Sequence, residues 1–158
     1  MNTKKINAFL GAVLLCAVIG LSLNSCEGAF NCHEDNISAA GSNKSHNKGQ
    51  NCMVCHRSSG EGEGCFIAAG TVCDANMMNT VSSGKVDFYT GPNETGTLKQ
   101  TVFIDGKGNF YTTAKFSPEG LYPVVTGPTG NKKMMGSALS SGECNSCHGS
   151  STDKLWVD

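Results

Sequence analysis

The stretch DGKGNFYTTAKF, residues 105–116, decides the fold that the sequence predicts. After its glycines, apolar or small side chains alternate with more polar ones, in the series Phe110, Thr112, Ala114 and Phe116. A period of two residues is typical of a half-buried β-strand. The glycines of DGKGN supply positive φ between two apolar runs, so this pentapeptide predicts a hairpin turn. It lacks the alternating acidic ligands of a calcium loop.

Four further β-type segments, each bounded by turn residues, lie on either side of this stretch. They are FIAAGTV at 66–72, KVDFYT at 85–90, LKQTVFI at 98–104 and LYPVVT at 121–126. The chain has 20 glycines in 158 residues and only 16% charged residues, which suits a loop-rich β protein better than a helical bundle. We therefore expect a mainly β protein with a small β-sandwich at about residues 66–127.

The N-terminus has the features of an export signal. MNTKK places two lysines before the apolar run INAFLGAVLLCAVIGLSL, residues 6–23. The run ends in LNSC, which resembles the lipobox of bacterial lipoproteins and implies a signal peptide at residues 1–25 with acylation of Cys26. An uncleaved membrane anchor is the alternative, because the run is just long enough to span a bilayer. Either arrangement predicts an exported, membrane-anchored protein that faces the periplasm or the cell surface.

The rest of the chain predicts a simple organisation. Residues 26–47 are polar and poor in large apolar side chains, so we expect a tether there. Residues 26–158 are enough for one domain with its own core but not for two of ordinary size, and we expect that domain at residues 48–158. The formal charge of −1 leaves no large basic surface, which argues against nucleic acid as a partner.

The nine cysteines can be sorted by position. Cys16 lies inside the signal, Cys26 is the predicted lipid site, and four belong to two copies of Cys-x-x-Cys-His. Of the remaining three, Cys32, Cys65 and Cys73, two are expected to form a disulfide in an exported protein. Cys65 and Cys73 are close in sequence and could bridge only if the chain bends between them. Cys32 could pair with either, so the sequence leaves the pairing open.

The two repeated motifs predict the cofactor. Motif 1 consists of Cys52, Cys55 and His56, and motif 2 of Cys144, Cys147 and His148. In such a motif the two thiols can bond the vinyl groups of one porphyrin as thioethers, and the histidine binds the iron. Two matches in an exported chain predict two covalently bound haem c groups. The expected proximal ligands are His56 and His148.

The two motifs have two other interpretations besides haem attachment. The four thiols could bind one zinc ion, but zinc does not require a histidine directly after each Cys-x-x-Cys pair, and the pairs are far apart in sequence. The motifs could also be disulfides or thioredoxin-like redox sites, but no βαβ pattern surrounds either of them.

The sixth iron ligands are candidates only. His46 precedes motif 1 in SHNKGQNCMVCH and can reach the opposite face of its haem, although the second haem is an equally possible target. His33 and Met135 are further candidates, and Met134 with Met135 could instead cover the apolar face of a haem. Trp156, near the C-terminus, is expected to close over the second haem.

Two family resemblances follow from these motifs. The segments AGTV and DGKGNFYT resemble those of the transthyretin-like or carboxypeptidase-regulatory-like β-sandwich, which implies architecture alone. As a whole, the chain resembles the small dihaem c-type cytochrome lipoproteins of bacteria, in which HNKGQNCMVCH precedes a compact sandwich and SSGECNSCH follows it. This resemblance implies electron transfer at the cell envelope, with other redox proteins as partners.

Three classes of function are compatible with this pattern. We expect an electron carrier or relay first, which makes the protein an electron-transfer protein and not an enzyme. A dihaem peroxidase-like enzyme needs an exchangeable iron position and a substrate pocket, for which the chain is short. A subunit of a multihaem assembly or filament is the third class. Because the motifs bracket one domain, we expect them, and with them both haems, to lie close together at one end or edge of the sandwich. The alternative places one haem at each pole of the sandwich.

Overall fold

The computed structural model describes residues 32–158. The predicted signal peptide at residues 1–25 and the predicted acylation site at Cys26 lie outside the described residues, as does the start of the predicted tether. In the described part, no helix is long and apolar enough to cross a membrane.

The described part of the chain is mainly β, which confirms the predicted fold class at this level. Its strands are β1 (Ala68–Thr71), β2 (Lys85–Tyr89), β3 (Leu98–Phe103), β4 (Asn109–Thr112), β5 (Tyr122–Thr126) and β6 (Lys132–Met134). Its helical elements are short: a 3-10 turn at Cys52–Val54 and the helix α1 at Cys144–Cys147. Each helical element begins at the first cysteine of a motif.

The strands form two sheets that share one core. β1 pairs antiparallel with β4, and the second sheet has the antiparallel order β3-β2-β5-β6. Side chains from both sheets meet in one buried cluster, which includes Ala68, Phe110, Val86, Phe88, Val102 and Val125. Burial of this apolar area supplies the main stabilisation of the fold.

The strand predicted at residues 109–116 is shorter and more buried than expected. β4 ends at Thr112, and all four of its residues are buried instead of alternating. The second face is covered because Tyr111 packs with Phe66 and with the half-buried Cys52 of motif 1. The prediction of a half-buried strand is therefore wrong, because residues of motif 1 cover the face of β4 that the period of two assigns to solvent.

The hairpin prediction for DGKGN is also wrong. The segment does make a tight turn, in which Asp105 Oδ1 accepts the backbone N–H groups of Lys107 and Asn109 at 2.9 and 3.0 Å, and Gly108 has φ of 86°. The strands on either side of it, however, belong to different sheets, because β3 pairs with β2 and β4 pairs with β1. The turn therefore carries the chain from one sheet to the other.

Part of the segment predicted as a tether lies against β4. Ser38 N–H donates to the carbonyl of Tyr111 at 2.9 Å, and Ser38 Oγ donates to the carbonyl of Phe103 at 2.6 Å. Further along, Gly106 N–H donates to the carbonyl of Ser42 at 2.7 Å. These bonds fix the path of the chain toward motif 1.

Candidate functional site

Both motifs fold into the same local turn. The N–H of His56 donates to the carbonyl of Cys52 at 2.9 Å, and the N–H of His148 donates to the carbonyl of Cys144 at 2.9 Å. In each motif the first cysteine is half-buried and the second, Cys55 or Cys147 respectively, is exposed. Each turn thus places two thiols and one imidazole within a single helical turn.

The two motif histidines make the same kind of hydrogen bond. His56 Nδ1 lies 2.8 Å from the carbonyl oxygen of Glu63, and His148 Nδ1 lies 2.9 Å from that of Asp153. Because a carbonyl only accepts, each ring donates through Nδ1 and keeps its lone pair on Nε2. Within the described residues, neither Nε2 has a hydrogen-bond partner. Metal-ligating histidines typically donate their other ring N–H in this way.

The loop RSSGEGEG folds tightly round His56 because its glycines allow close contact. Gly62 N–H donates to the carbonyl of Cys55 at 2.9 Å, and a Cβ on Gly62 would lie only 2.6 Å from His56 Nδ1. The carbonyl of Glu63 also accepts from Asn36 Nδ2 at 3.2 Å. A side chain at position 62 would therefore displace the ring.

A disulfide closes this part of the chain. It joins Cys32 to Cys65, whose Cα atoms are 4.7 Å apart, and leaves Cys73 as a free, buried thiol. The sequence had left this pairing open. The closed loop spans 33 positions and contains both His46 and motif 1. The disulfide therefore restrains the segment that lines one cavity of the molecule.

That cavity, cavity 1, has a volume of about 620 Å³ and is lined by both cysteines of motif 1 together with His46, His56, Phe66 and Tyr111. Phe66 stacks on the His56 ring at 4.1 Å and on Tyr111 at 4.9 Å between ring centres. Burial raises the pKa of the Tyr111 hydroxyl, so the group stays neutral well above physiological pH. The rings of His46 and His56 are 5.7 Å apart, centre to centre, and inclined at 34°.

Motif 2 lines a second cavity, cavity 2, of about 520 Å³. Its apolar and sulfur-bearing walls include Phe110, Met134, Met135, Leu139, Leu155 and Trp156. Lys133 Nζ lies 3.5 Å from the ring centre of Trp156, a cation–π contact. His148 is the one histidine among the described residues that line this cavity.

The motifs are adjacent in the fold, as their bracketing of one domain predicted. Asn145 Nδ2, inside motif 2, donates to the carbonyl of Gln50 at 2.8 Å, and Asn51 Nδ2 donates to Glu143 Oε2 at 3.0 Å. Gly142 allows the motif 2 segment to approach β1, because a Cβ there would lie 1.9 Å from the carbonyl oxygen of Ile67. Motif 2 therefore sits along the edge of β1 that β4 leaves open.

Burial controls the chemistry of the inner thiols. It raises the pKa of Cys144 to about 12 and also raises the pKa of Cys52. Both are therefore protonated at neutral pH, whereas redox-active and metal-bound cysteines need the thiolate. The four motif thiols form no disulfide. Among residues 32–158, no group of three or more His, Cys, Asp or Glu side chains is placed to hold a metal ion.

The other candidate residues are distributed unevenly. His33 is exposed beside the disulfide and lines neither cavity 1 nor cavity 2. Met135 lines cavity 2, as Trp156 does. Sequence reasoning missed Phe66, Tyr111 and the buried Asn145. The alternating glycines of GEGEG, next to motif 1, were the signal that a loop packs closely on His56.

Comparisons with known proteins add no further assignment. No family model matches the chain, and neither a curated protein nor a solved structure matches it.

Proposed function

We propose that this protein is a dihaem c-type cytochrome that transfers electrons at the bacterial cell envelope. One observation carries the proposal, and it applies to both motif histidines. Each follows two thiols on one turn, donates through Nδ1 to a backbone carbonyl and lines a cavity. The Nε2 atom of each has no hydrogen-bond partner among the described residues. Two thiols and an imidazole are the groups that hold a covalently attached haem, and the hydrogen bond from Nδ1 is one that metal-ligating histidines typically make.

Cavity 1 supports ligation by two histidines. Its volume of about 620 Å³ lies within the range of ordinary cofactor sites, roughly 300–1,000 Å³. Metal–imidazole bonds are about 2 Å long, so two imidazoles that hold one ion have nitrogens about 4 Å apart and ring centres about 6 Å apart. The ring centres of His46 and His56 are 5.7 Å apart. In this proposal Cys52 and Cys55 would form the thioethers, and His56 and His46 would be the residues that hold the iron.

Cavity 2 fits a haem with a different sixth ligand. Cys144 and Cys147 would form its thioethers and His148 would be its proximal ligand. Met134 and Met135 both line the cavity, and we propose Met135 as the sixth ligand. Trp156 and the aliphatic wall of the cavity would exclude water from the haem face. An uncharged thioether at Cys144 also suits a position where burial disfavours the thiolate.

A haem, when bound, supplies one-electron chemistry, and the chain supplies position and environment. The direct hydrogen bonds between the motif 1 and motif 2 segments would keep two such groups as neighbours. Two adjacent groups make a path for an electron, whereas one makes only a store. This favours a relay over two independent carriers.

The proposal includes export and anchoring. With acylation of Cys26 the domain would be held at a membrane and face the periplasm or the cell surface, where other redox proteins are its partners. Covalent haem attachment and the disulfide between Cys32 and Cys65 both suit an exported chain.

The test is haem attachment measured on the full chain. Expressed with its signal in a bacterium that has cytochrome c maturation, the purified protein should carry the mass of two haems in its denatured intact mass. Replacement of Cys52 and Cys55 by alanine should remove one haem, and replacement of Cys144 and Cys147 should remove the other. Wild-type protein with no covalent haem, or with one zinc ion in its place, would overturn the proposal.

A spectrum of the same sample separates the carrier from the peroxidase-like enzyme. We expect both irons to be low-spin and six-coordinate. A persistent high-spin iron with an exchangeable position would instead favour the enzyme.

A further inference from the structure

A buried polar side chain inside motif 2 contacts the segment that leads into motif 1. Asn145 lies between the two cysteines of motif 2 and is only 7% exposed. Its Oδ1 accepts the N–H of Thr71 at 3.0 Å, and its Nδ2 donates to the carbonyl of Gln50 at 2.8 Å and to Thr71 Oγ1 at 3.1 Å. The side-chain amide of Asn145 therefore links strand β1 to the segment that leads into motif 1.

The hydrogen bonds continue from Thr71 toward His46. Thr71 Oγ1 accepts the N–H of Gly49 at 2.9 Å and donates to Asn109 Oδ1 at 2.6 Å. Asn109 Nδ2 donates in turn to Ser45 Oγ at 2.9 Å and to the carbonyl of His46 at 3.2 Å. The side chains of Thr71, Asn109 and Ser45 are all buried.

These bonds hold the segment 45–50 at both of its ends. Between them, Asn47 and Gly49 have positive φ, 50° and 81°, and His46 itself is exposed. An exposed segment with left-handed residues gains little from apolar packing, so its course depends on its hydrogen bonds. Loss of one partner in a buried network also leaves other polar groups unsatisfied.

We infer that Asn145 is a positioning residue for cavity 1: from within motif 2, through Thr71 and Asn109, it sets where His46 stands relative to His56. The inference rests on the proposed function, since it gives His46 the role of sixth ligand. Motif 2 thereby contributes to the coordination of the other haem as well as to its own.

The test compares two neighbours within motif 2. Asn145→Ala should shift the motif 1 haem from low-spin toward high-spin in resonance Raman and paramagnetic resonance spectra, in the same direction as His46→Ala. The double variant should show no further shift beyond His46→Ala, because both changes act on one ligand. The control Ser146→Ala alters an exposed residue of the same motif that lines cavity 2 and not cavity 1, so it should leave the motif 1 spectrum as in wild type. Both haems should remain covalently attached in every variant.

A second measurement does not depend on haem. In Asn145→Ala, the amide of Gly49 should exchange with deuterium roughly tenfold faster than in wild type, because the network that orders its acceptor is weakened. Thr71→Val preserves side-chain shape but removes the hydroxyl that accepts this amide. It should give the same two effects, and it serves as the test if Asn145→Ala does not fold.

The outcomes separate the inference from the proposed function. Unchanged motif 1 spectra together with unchanged exchange at Gly49 would overturn the inference, as would a spectral change confined to the motif 2 haem. Wild-type protein without covalent haem would overturn the proposed function, while the exchange measurement would still report whether Asn145 orders residues 45–50.

Discussion

The two motifs share one local turn and one type of histidine hydrogen bond, yet the surroundings of their histidines differ. His56 is 8% exposed and stacks on Phe66 at 4.1 Å. Its carbonyl partner belongs to a loop that a disulfide and close-packed glycines hold in place. His148 is half-buried, and its carbonyl partner, at Asp153, lies in an exposed segment five residues further on. The turn is local, whereas burial is set by distant segments.

The cavities differ in the groups that face the motif histidine. Cavity 1 offers a second imidazole at 5.7 Å, and cavity 2 offers two methionines with an apolar wall. In the proposed cytochrome, methionine ligation raises the potential of a haem relative to ligation by two histidines. The same repeated motif can therefore give two potentials, and an electron would move from the motif 1 haem to the motif 2 haem.

Removal of the stack on His56 should have the largest effect on stability. Phe66→Ala deletes a buried ring that contacts both His56 and Tyr111, so we expect a loss of about 3–5 kcal/mol in the free energy of unfolding. Denaturant titration measures this loss, and in the proposed dihaem protein the spectrum of the motif 1 haem should be lost before that of the motif 2 haem. Phe103→Ala is the control, because that ring is 49% exposed on the edge strand β3 and its loss should cost less than about 1 kcal/mol. Equal losses in the two variants would contradict the assigned role of the stack.

Removal of the disulfide should come next. Replacement of Cys32 and Cys65 by serine opens a loop of 33 positions, and the chain-entropy relation gives a loss of about 3–4 kcal/mol. Because this loop carries His46 and motif 1, any spectral change below the unfolding transition should, in the proposed dihaem protein, be confined to the motif 1 haem. Cys73→Ala, which alters the free thiol, should leave both haem spectra intact. Equal perturbation of the two haems would show that the disulfide stabilises the domain without acting on cavity 1.

The sequence predicted the local features of the fold well, but it predicted poorly which distant segments pack on each strand. The strand segments and the turn at DGKGN are encoded by short-range patterns, and each of the five predicted segments contains a strand of the structure. The pairing of β4 with β1, and the second covered face of β4, depend on contacts with Phe66 and motif 1 that no local period reveals. Strand β6 was missed because its three residues, Lys132–Met134, are exposed and mostly charged.

The candidate site shows the same division between features set by a local motif and features set by long-range contacts. Its cysteines and histidines stand in a spacing that the proposed haem attachment would impose, so they can be picked out from the sequence alone. The contacts that arrange them cannot: Asn145 is one of the two residues between the cysteines, which the motif leaves unspecified, and its partners lie on β1 and in the segment before motif 1. The disulfide partner of Cys32 was undecidable for the same reason, since sequence separation does not report distance in a fold.

The difference between the cavities also predicts two separate reduction steps. Met135→Leu keeps side-chain volume, so it should cost less than about 1.5 kcal/mol of stability. If Met135 is the sixth ligand of the motif 2 haem, its loss should move the higher-potential step and leave the lower one unchanged. A potentiometric titration followed by absorbance measures both, with Met134→Leu as the matched control. Movement of the lower step alone would reverse the assignment of the two cavities.

The smallest expected effect concerns the thiol of Cys144 before haem is attached. Burial raises its pKa from an ordinary value of 9.0 to about 12, so the folded state favours the protonated thiol. Its contribution to stability is complete below the unfolded pKa and is lost as the pH rises through the window from about 9 to about 12. In the haem-free protein this amounts to a loss of about 1 kcal/mol at pH 9.5.

Denaturant titrations at pH 7.5 and 9.5 should show that Cys144→Ala removes this part of the alkaline loss, whereas Cys147→Ala, at an exposed position, keeps it. The haem-loaded protein should behave like Cys144→Ala, because a thioether has no proton to release. Equal alkaline losses in haem-free wild type and Cys144→Ala would mean that the inner thiol of motif 2 is solvated, which would remove one of the differences between the motif's two cysteines.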